Sequence, residues 1–262
     1  MNLDLKNKRA LVCGSTQGIG KAAAMELAAL GAHVTLVARN EQSLKQTKAE
    51  LKDNGSQLHS YLCVDFSNPT KLKELVDQFI QRTGPVNILV NNTGGPPAGP
   101  VSSAKVEDFV SAFNNHLICN HILVQACLEG MKNSGYGRII NVISTSVKQP
   151  LPNLGVSNTI RAAVGNWAKT LANEVGEFGI TVNNILPGAT ATQRLEGIIQ
   201  NKALKSNVHS EDVKREMLHE IPMRRFAEAS EIANAIAFLA SPAASYVNGI
   251  NLPVDGGRTS SL

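Results

Sequence analysis

Three glycines, Gly14, Gly18 and Gly20, stand in the run Cys13-Gly14-Ser15-Thr16-Gln17-Gly18-Ile19-Gly20-Lys21, directly after a short apolar stretch at 9–13. Glycine lets a backbone turn tightly and approach a ligand closely, and the free N–H groups at a helix start attract an anion. Between a strand and a helix, this GxxxGxG spacing points to binding of a dinucleotide's pyrophosphate by residues Gly14 to Gly20. About 20 positions further on, such a site selects its cofactor: an acid holds the ribose 2′-hydroxyl of NAD, whereas an arginine accommodates the 2′-phosphate of NADP. The run Leu36-Val37-Ala38-Arg39-Asn40 offers no acid and brings Arg39 to that place, which favours NADP while leaving NAD open. The plainer reading of Arg39 is a solvated charge at a helix start, with Glu41 nearby to pair with it.

Other residues able to do chemistry are sparse. The histidines of interest are His116, in a long helical segment, and His209 and His219, in a polar one; the tyrosines are Tyr61, Tyr136 and Tyr246. The stretch Gly94-Gly95-Pro96-Pro97-Ala98-Gly99-Pro100 is stiff, and reads equally as a pocket wall or as a rigid connection. Cys13, Cys63, Cys119 and Cys127 lie in apolar runs without CxxC spacing, which points to buried, reduced thiols in a cytoplasmic protein and to no metal site. The net charge of +4 comes from scattered residues (25 basic, 21 acidic), so no nucleic-acid partner is expected. No apolar run approaches the roughly 18 residues of a membrane span, and the polar stretch Met1 to Arg9 does not read as a signal peptide.

These groups need a scaffold. With 43% apolar residues and only 11 aromatics in 262 residues, the core must be aliphatic. Short β-branched runs at 9–13, 32–38, 58–64, 86–91, 137–143, 180–186 and 249–254 alternate with helical periodicity. Ile19, Ala22, Ala23, Leu27 and Leu30 form one apolar face that stops at Gly31, and further helices are expected at 41–53, 70–82, 105–132, 156–177 and 229–240. The pattern is that of an α/β protein: a single Rossmann-like doubly wound domain over 1–262, with about seven parallel strands and helices on both faces. The least regular stretch, 188–222, is placed to be a substrate lid, or else a solvated surface excursion.

Ordered motifs extend this picture. Asp65 follows the third strand, Asn91-Asn92-Thr93-Gly94 the fourth, and Gly137-Arg138-Ile139-Ile140-Asn141 forms the fifth; Val182-Asn183, Pro187-Gly188 and Val254-Asp255-Gly256-Gly257 come later. With the glycine turn they make the chain resemble a short-chain dehydrogenase/reductase over nearly its whole length, in the style of the 3-oxoacyl-acyl-carrier-protein reductases. The resemblance implies hydride transfer between NAD(P)(H) and a carbonyl or alcohol, a small-molecule substrate and a homotetramer or homodimer. For oligomerisation, apolar outer faces on the two long helices are needed, and Leu123, Trp167 and Leu171 are the candidates. The resemblance also implies that Asp65 lies by the adenine, that Asn91 and Gly94 line the cofactor, and that Pro187, Gly188 and Thr190 or Thr192 face the nicotinamide.

Carbonyl reduction leaves an alkoxide that must be protonated. In the family, a tyrosine supplies the proton, a lysine four residues later lowers its pKa, an upstream serine binds the oxygen and an asparagine completes the relay. Aligned on Gly137 to Asn141, the serine falls on Ser144, but the tyrosine position holds Ser157, the lysine position Arg161 and the asparagine position His116, with Asn115 adjacent. A serine hydroxyl is shorter and far less acidic than a phenol, and arginine stays protonated where lysine can relay. Arg161 can still bind the nicotinamide ribose or an anionic substrate group, and His116, with a reference pKa near 6.5, is the remaining candidate acid. Two readings result: an NADP-dependent oxidoreductase with an atypical site, acting on an enone, quinone, imine or other carbonyl substrate, or an inactive NADP(H)-binding pseudoenzyme serving as sensor or partner subunit.

Overall fold

The computed structural model describes residues 1–261. Seven strands, β1 (Arg9–Cys13), β2 (His33–Ala38), β3 (Ser60–Cys63), β4 (Ile88–Asn91), β5 (Gly137–Val142), β6 (Ile180–Pro187) and β7 (Asn251–Val254), form one sheet. Their order is β3-β2-β1-β4-β5-β6-β7, and every pairing is parallel. The chain reverses its direction of travel across the sheet between β1 and β4. A crevice therefore opens at their carboxyl ends, where doubly wound sheets bind ligands.

Two aliphatic layers hold the sheet. On one face, α1 (Gly18–Ala29) and α9 (Ala229–Ala240) bury Ala23, Ala24, Leu27, Ile232 and Ile236 against Val12, Val34 and Ile140, with Leu44 of α2 (Glu41–Glu50) beside them. On the other, α3 (Pro69–Thr83), α5 (Cys119–Ser134) and α6 (Gly155–Val175) bury Val76, Leu123 and Ala168 against Leu11, Leu89 and Val182. Local chemistry sets the helix starts. Asn40 Oδ1 accepts from Ser43 N at 2.8 Å, Asn68 Oδ1 from Lys71 N at 3.0 Å with Pro69 next in line, and Glu228 and Glu231 form a reciprocal cap.

Four expectations need correction. The segment 188–222 contains α7 (Gln193–Ser206) and α8 (Ser210–His219), because Leu195, Ile199 and Ala203 repeat every four residues and pack with Val213 into a small core of their own. The helix expected over 105–132 is interrupted: α4 (Val106–Phe113) passes through a π-turn at Asn114–Ile118 into α5. Leu123, offered as an outer apolar residue, is fully buried against the sheet; the exposed apolar side chains of this region are Val106, Val110 and Phe113. Cys63 is exposed because β3 is the edge strand, whereas Cys13, Cys119 and Cys127 are buried; all four are free thiols. No helix among the described residues is long and apolar enough to cross a membrane.

Candidate active site

Gly14 (φ 59°) and Gly18 (φ 52°) take left-handed conformations that carry the chain from β1 into α1. A Cβ on Gly20 would lie 2.1 Å from the Gly14 carbonyl oxygen, and one on Gly14 would lie 2.4 Å from that of Asn92. The turn is braced from two sides: Asn92 Nδ2 donates to Cys13 O (3.2 Å) and Gly14 O (3.3 Å), while buried Ser15 Oγ accepts from Val37 N (3.0 Å). Gln17 precedes α1 without a side-chain cap, Thr16 and Ile19 are half-buried, and no acid sits in the first turn of the helix. Its N–H groups are thus left to an external anion, so the turn fits a dinucleotide's pyrophosphate. Because the conflict at Gly20 is with backbone on a packed turn, Gly20→Ala is expected to cost about 1–3 kcal/mol. Urea unfolding checks this, with dinucleotide binding by the folded fraction lost in parallel.

At the end of β2, Arg39 is exposed. Glu41, its prospective partner, instead pairs with Lys45 (3.0 Å) and accepts from the Tyr61 hydroxyl (3.0 Å). Exposed Asp65 accepts from Ser67 N (2.9 Å), which holds its carboxyl below the usual range, with a smaller contribution from Arg39. Asn91, the last residue of β4, is buried, and its Nδ2 donates to Asn141 Oδ1 (2.9 Å). Asn141 donates to Asn184 (2.9 Å) and Asn184 to Asn251 (2.8 Å), so that four strands are tied by one amide ladder. The Oδ1 of Asn91, at the near end, is buried without a protein partner.

The loop after β6 meets the glycine turn. Gly188 N donates to Val254 O (2.9 Å), Thr190 Oγ1 to Gly188 O (3.1 Å), and Thr192 caps α7 with its methyl group 3.2 Å from where a Gly18 Cβ would stand. Pro187 ends β6 and Gly94 follows β4, so both occupy the same carboxyl edge of the sheet.

Ser144, Ser157, Arg161 and His116 come from three elements. Ser144 follows β5, half-buried, and accepts from Ser146 N (3.1 Å). Ser157 lies in the first turn of α6, half-buried, and Arg161 follows one turn later. Arg161 is 8% exposed and donates to Val142 O (2.8 Å) and Thr93 O (3.3 Å), linking the ends of β5 and β4. The π-turn places His116 inward, 2% exposed, with Nδ1 2.5 Å from Thr93 Oγ1. Burial, reinforced by the positive charges of Arg161 and Arg194, pushes the His116 imidazole down to about 3, so it is neutral at pH 7. Burial and then Arg194 bring Arg161 down to about 10, still protonated.

A cavity of about 180 Å³ is lined by Gly94, Gly95, Pro96, Pro97, Asp108, Ser111, Ala112, Asn115 and, of the four groups above, His116 alone. The Gly94–Pro100 stretch is both wall and fixed connection. Gly99 is zipped to the start of α6 by Gly99 N to Asn153 O (2.8 Å) and Gly155 N to Gly99 O (3.0 Å). The other histidines and the tyrosines lie elsewhere. His209 stands at the start of α8 without a side-chain capping bond and His219 bonds to Arg224; the Tyr136 hydroxyl donates to Ala240 O (2.6 Å), and Tyr246 is fully exposed. Among the described residues, no group of three or more His, Cys, Asp or Glu could hold a metal ion.

Sequence reasoning missed Arg194, in the first turn of α7, whose guanidinium reaches Gly95 O (3.4 Å). The available signal was a cation at a helix start, where the helix dipole disfavours it. It also missed Thr93, the partner of His116.

A parallel sheet with its switch point beside a glycine turn and an uncapped helix defines a dinucleotide-binding protein. The family profile for enoyl-(acyl carrier protein) reductases matches residues 14–259. The chain is 32% identical to 7alpha-hydroxysteroid dehydrogenase of Escherichia coli K12 over 261 residues, covering 100% of this chain and 98% of that one. It is 35% identical to 3-oxoacyl-acyl-carrier-protein reductase of Haemophilus influenzae over 255 residues, covering 97% and 98%. L-sorbose reductase from Gluconobacter frateurii, solved with NADPH and L-sorbose, superposes with a TM-score of 0.93 at 30% identity, each chain covered completely. The chain therefore belongs to the short-chain dehydrogenase/reductase family of oxidoreductases.

Proposed function

We propose that the protein is an NADP(H)-dependent oxidoreductase that moves hydride to or from a carbonyl, enone or related small molecule without a phenolic acid. The carrying observation is the glycine turn and uncapped start of α1 at the sheet's switch point, with Arg39 free of any ion pair among the described residues. Gly14 to Gly20 would hold the pyrophosphate, Arg39 the 2′-phosphate, and Asp65 and Gly94 the adenine and ribose sides. Pro187, Gly188, Thr190 and Thr192 would lie along the nicotinamide end. The bound cofactor supplies or accepts the hydride.

The chain's own residues do the rest. Ser144 Oγ donates to the substrate oxygen. Arg161, kept cationic in a dry corner, stabilises negative charge growing there; with its N–H groups fixed by Val142 O and Thr93 O, it needs no reorganisation to do so. Ser157, short and aliphatic, stands where the family places its phenol and leaves that oxygen without a strong acid, so the proton that completes the reduction comes from solvent water. His116 acts as a neutral imidazole: in the tautomer protonated on Nε2, Nδ1 accepts from Thr93 Oγ1 and Nε2–H is a hydrogen-bond donor. An electrophilic site of this kind suits substrates such as enones, quinones and imines that need less protonation as hydride arrives. The α7–α8 segment serves as the substrate lid. Val106, Val110 and Phe113 on α4 serve as the face on which a homodimer or homotetramer forms, in a cytoplasmic setting.

Calorimetric titration with NADPH and NADH tests this reading. NADPH is expected to bind about tenfold or more tightly than NADH, since a charge-assisted phosphate contact contributes about 1.5–3 kcal/mol, and Arg39→Glu should reverse the order. Failure of both dinucleotides to bind overturns the proposal.

A further inference from the structure

Arg161 and Arg194 bring two positive charges to one corner where nothing negative meets them. Arg161 donates to Thr93 O, and Arg194 to Gly95 O at 3.4 Å. The Arg194 guanidinium lies so close to the loop that a Cβ on Gly95 would be 2.5 Å from Nη2. The pair thus meets the loop at Thr93 and Gly95, and both charges act on His116, whose Nδ1 also meets Thr93. Neither forms an ion pair among the described residues. The acid lining the adjoining cavity, Asp108, forms none either.

Such an arrangement is costly by itself. Arg161 is nine-tenths buried, and an uncompensated buried cation is strongly unfavourable. Arg194 stands in the first turn of α7, against the helix dipole. Each guanidinium has five N–H donors, of which the backbone carbonyls take two from Arg161 and one from Arg194. Neither charge meets a carboxylate among the described residues, and planar guanidiniums match a carboxylate's two oxygens.

We propose that Arg161 and Arg194 form an anion subsite for the carboxylate of the substrate, making the substrate a small oxo acid or unsaturated acid rather than a neutral ketone. The inference rests on the oxidoreductase reading above and names the substrate class of that same site. The cavity of about 180 Å³ is lined by His116 and by the Gly94–Gly95 loop that Arg194 bonds, rather than by either arginine, and its size suits a carboxylate with a few attached carbons. The phosphates of the cofactor share the same oxyanion chemistry, so the test must separate the two sources.

Calorimetric titrations of malonate, inorganic pyrophosphate and NADPH into the wild type and Arg194→Gln make that separation. Residue 194 is exposed, so the variant should fold. Malonate is expected to bind the wild type and to weaken about tenfold or more in Arg194→Gln, as for loss of a charge-assisted hydrogen bond. NADPH should bind both alike. Absent malonate binding, or equal malonate binding to both proteins, overturns the subsite. Weakened NADPH or pyrophosphate binding in Arg194→Gln, with or without a malonate effect, gives Arg194 to the cofactor and also overturns it. Failure of NADPH to bind the wild type sinks the oxidoreductase reading instead, and the malonate comparison remains decisive for the anion site.

Discussion

Ser157→Tyr combined with Arg161→Lys is expected to raise NADPH-dependent reduction of neutral ketones by about 10²–10⁴-fold over the parent, the usual contribution of a positioned acid. Residues 157 and 161 lie one helical turn apart on α6, the first half-buried and without a side-chain hydrogen bond, so a phenol there displaces no existing partner. A lysine at 161 sits in the corner that Val142 O and Thr93 O already prepare for a cation, and unlike arginine it can give up and regain a proton. Its charge one turn from the phenol lowers a pKa that otherwise stands near 10. Ser157→Tyr alone should gain less, because Arg161 cannot relay. The measurement is kcat/KM on a ketone series; a folded, NADPH-binding double variant with no gain contradicts the assignment of positions 157 and 161.

The second large effect is on stability against acid. The His116 imidazole titrates near 3 in the fold against about 6.5 when unfolded. Above pH 6.5 the group is neutral in both states and contributes no slope. As pH falls below 6.5, the unfolded chain binds a proton that the fold refuses, and stability is lost at about 1.4 kcal/mol per pH unit until roughly pH 3. The full loss is on the order of 4–5 kcal/mol, large against a net stability of about 5–15 kcal/mol. Urea unfolding between pH 7 and pH 4 should therefore fall more steeply for the wild type than for His116→Asn. Parallel curves for the two proteins would show that burial does not hold the imidazole neutral.

Much of the fold was legible because a buried parallel sheet reads as apolar β-branched runs, and each of the seven runs became a strand in the sheet. The glycine turn was legible for a related reason: positive φ at Gly14 and Gly18 and the tight approach at Gly20 exclude most other residues. What stayed hidden depended on contacts distant in sequence. The π-turn that points His116 inward has no periodic signature in Asn114–Ile118, and the burial that keeps the imidazole neutral is reinforced by Arg161 and Arg194 from two other helices. The α7–α8 unit escaped notice because its four-residue apolar spacing is diluted by a polar exterior, and it closes only when Val213 folds back on Leu195 and Ile199. The amide ladder from Asn91 to Asn251 joins residues brought side by side by strand register alone. Glu41 was a plausible partner for Arg39 by proximity along the chain, yet the turn into α2 aims it at Lys45 and Tyr61.

The most direct test of the central claim is label transfer from NADPH deuterated at the nicotinamide C4, followed by mass spectrometry of the products from ketones, oxo acids, 3-oxoacyl thioesters, enones and quinones. An NADP(H)-dependent oxidoreductase delivers the label to carbon in at least one product, and Arg161→Met abolishes or strongly reduces that transfer. NADPH binding without deuterium in any product, across the whole panel, would contradict the account.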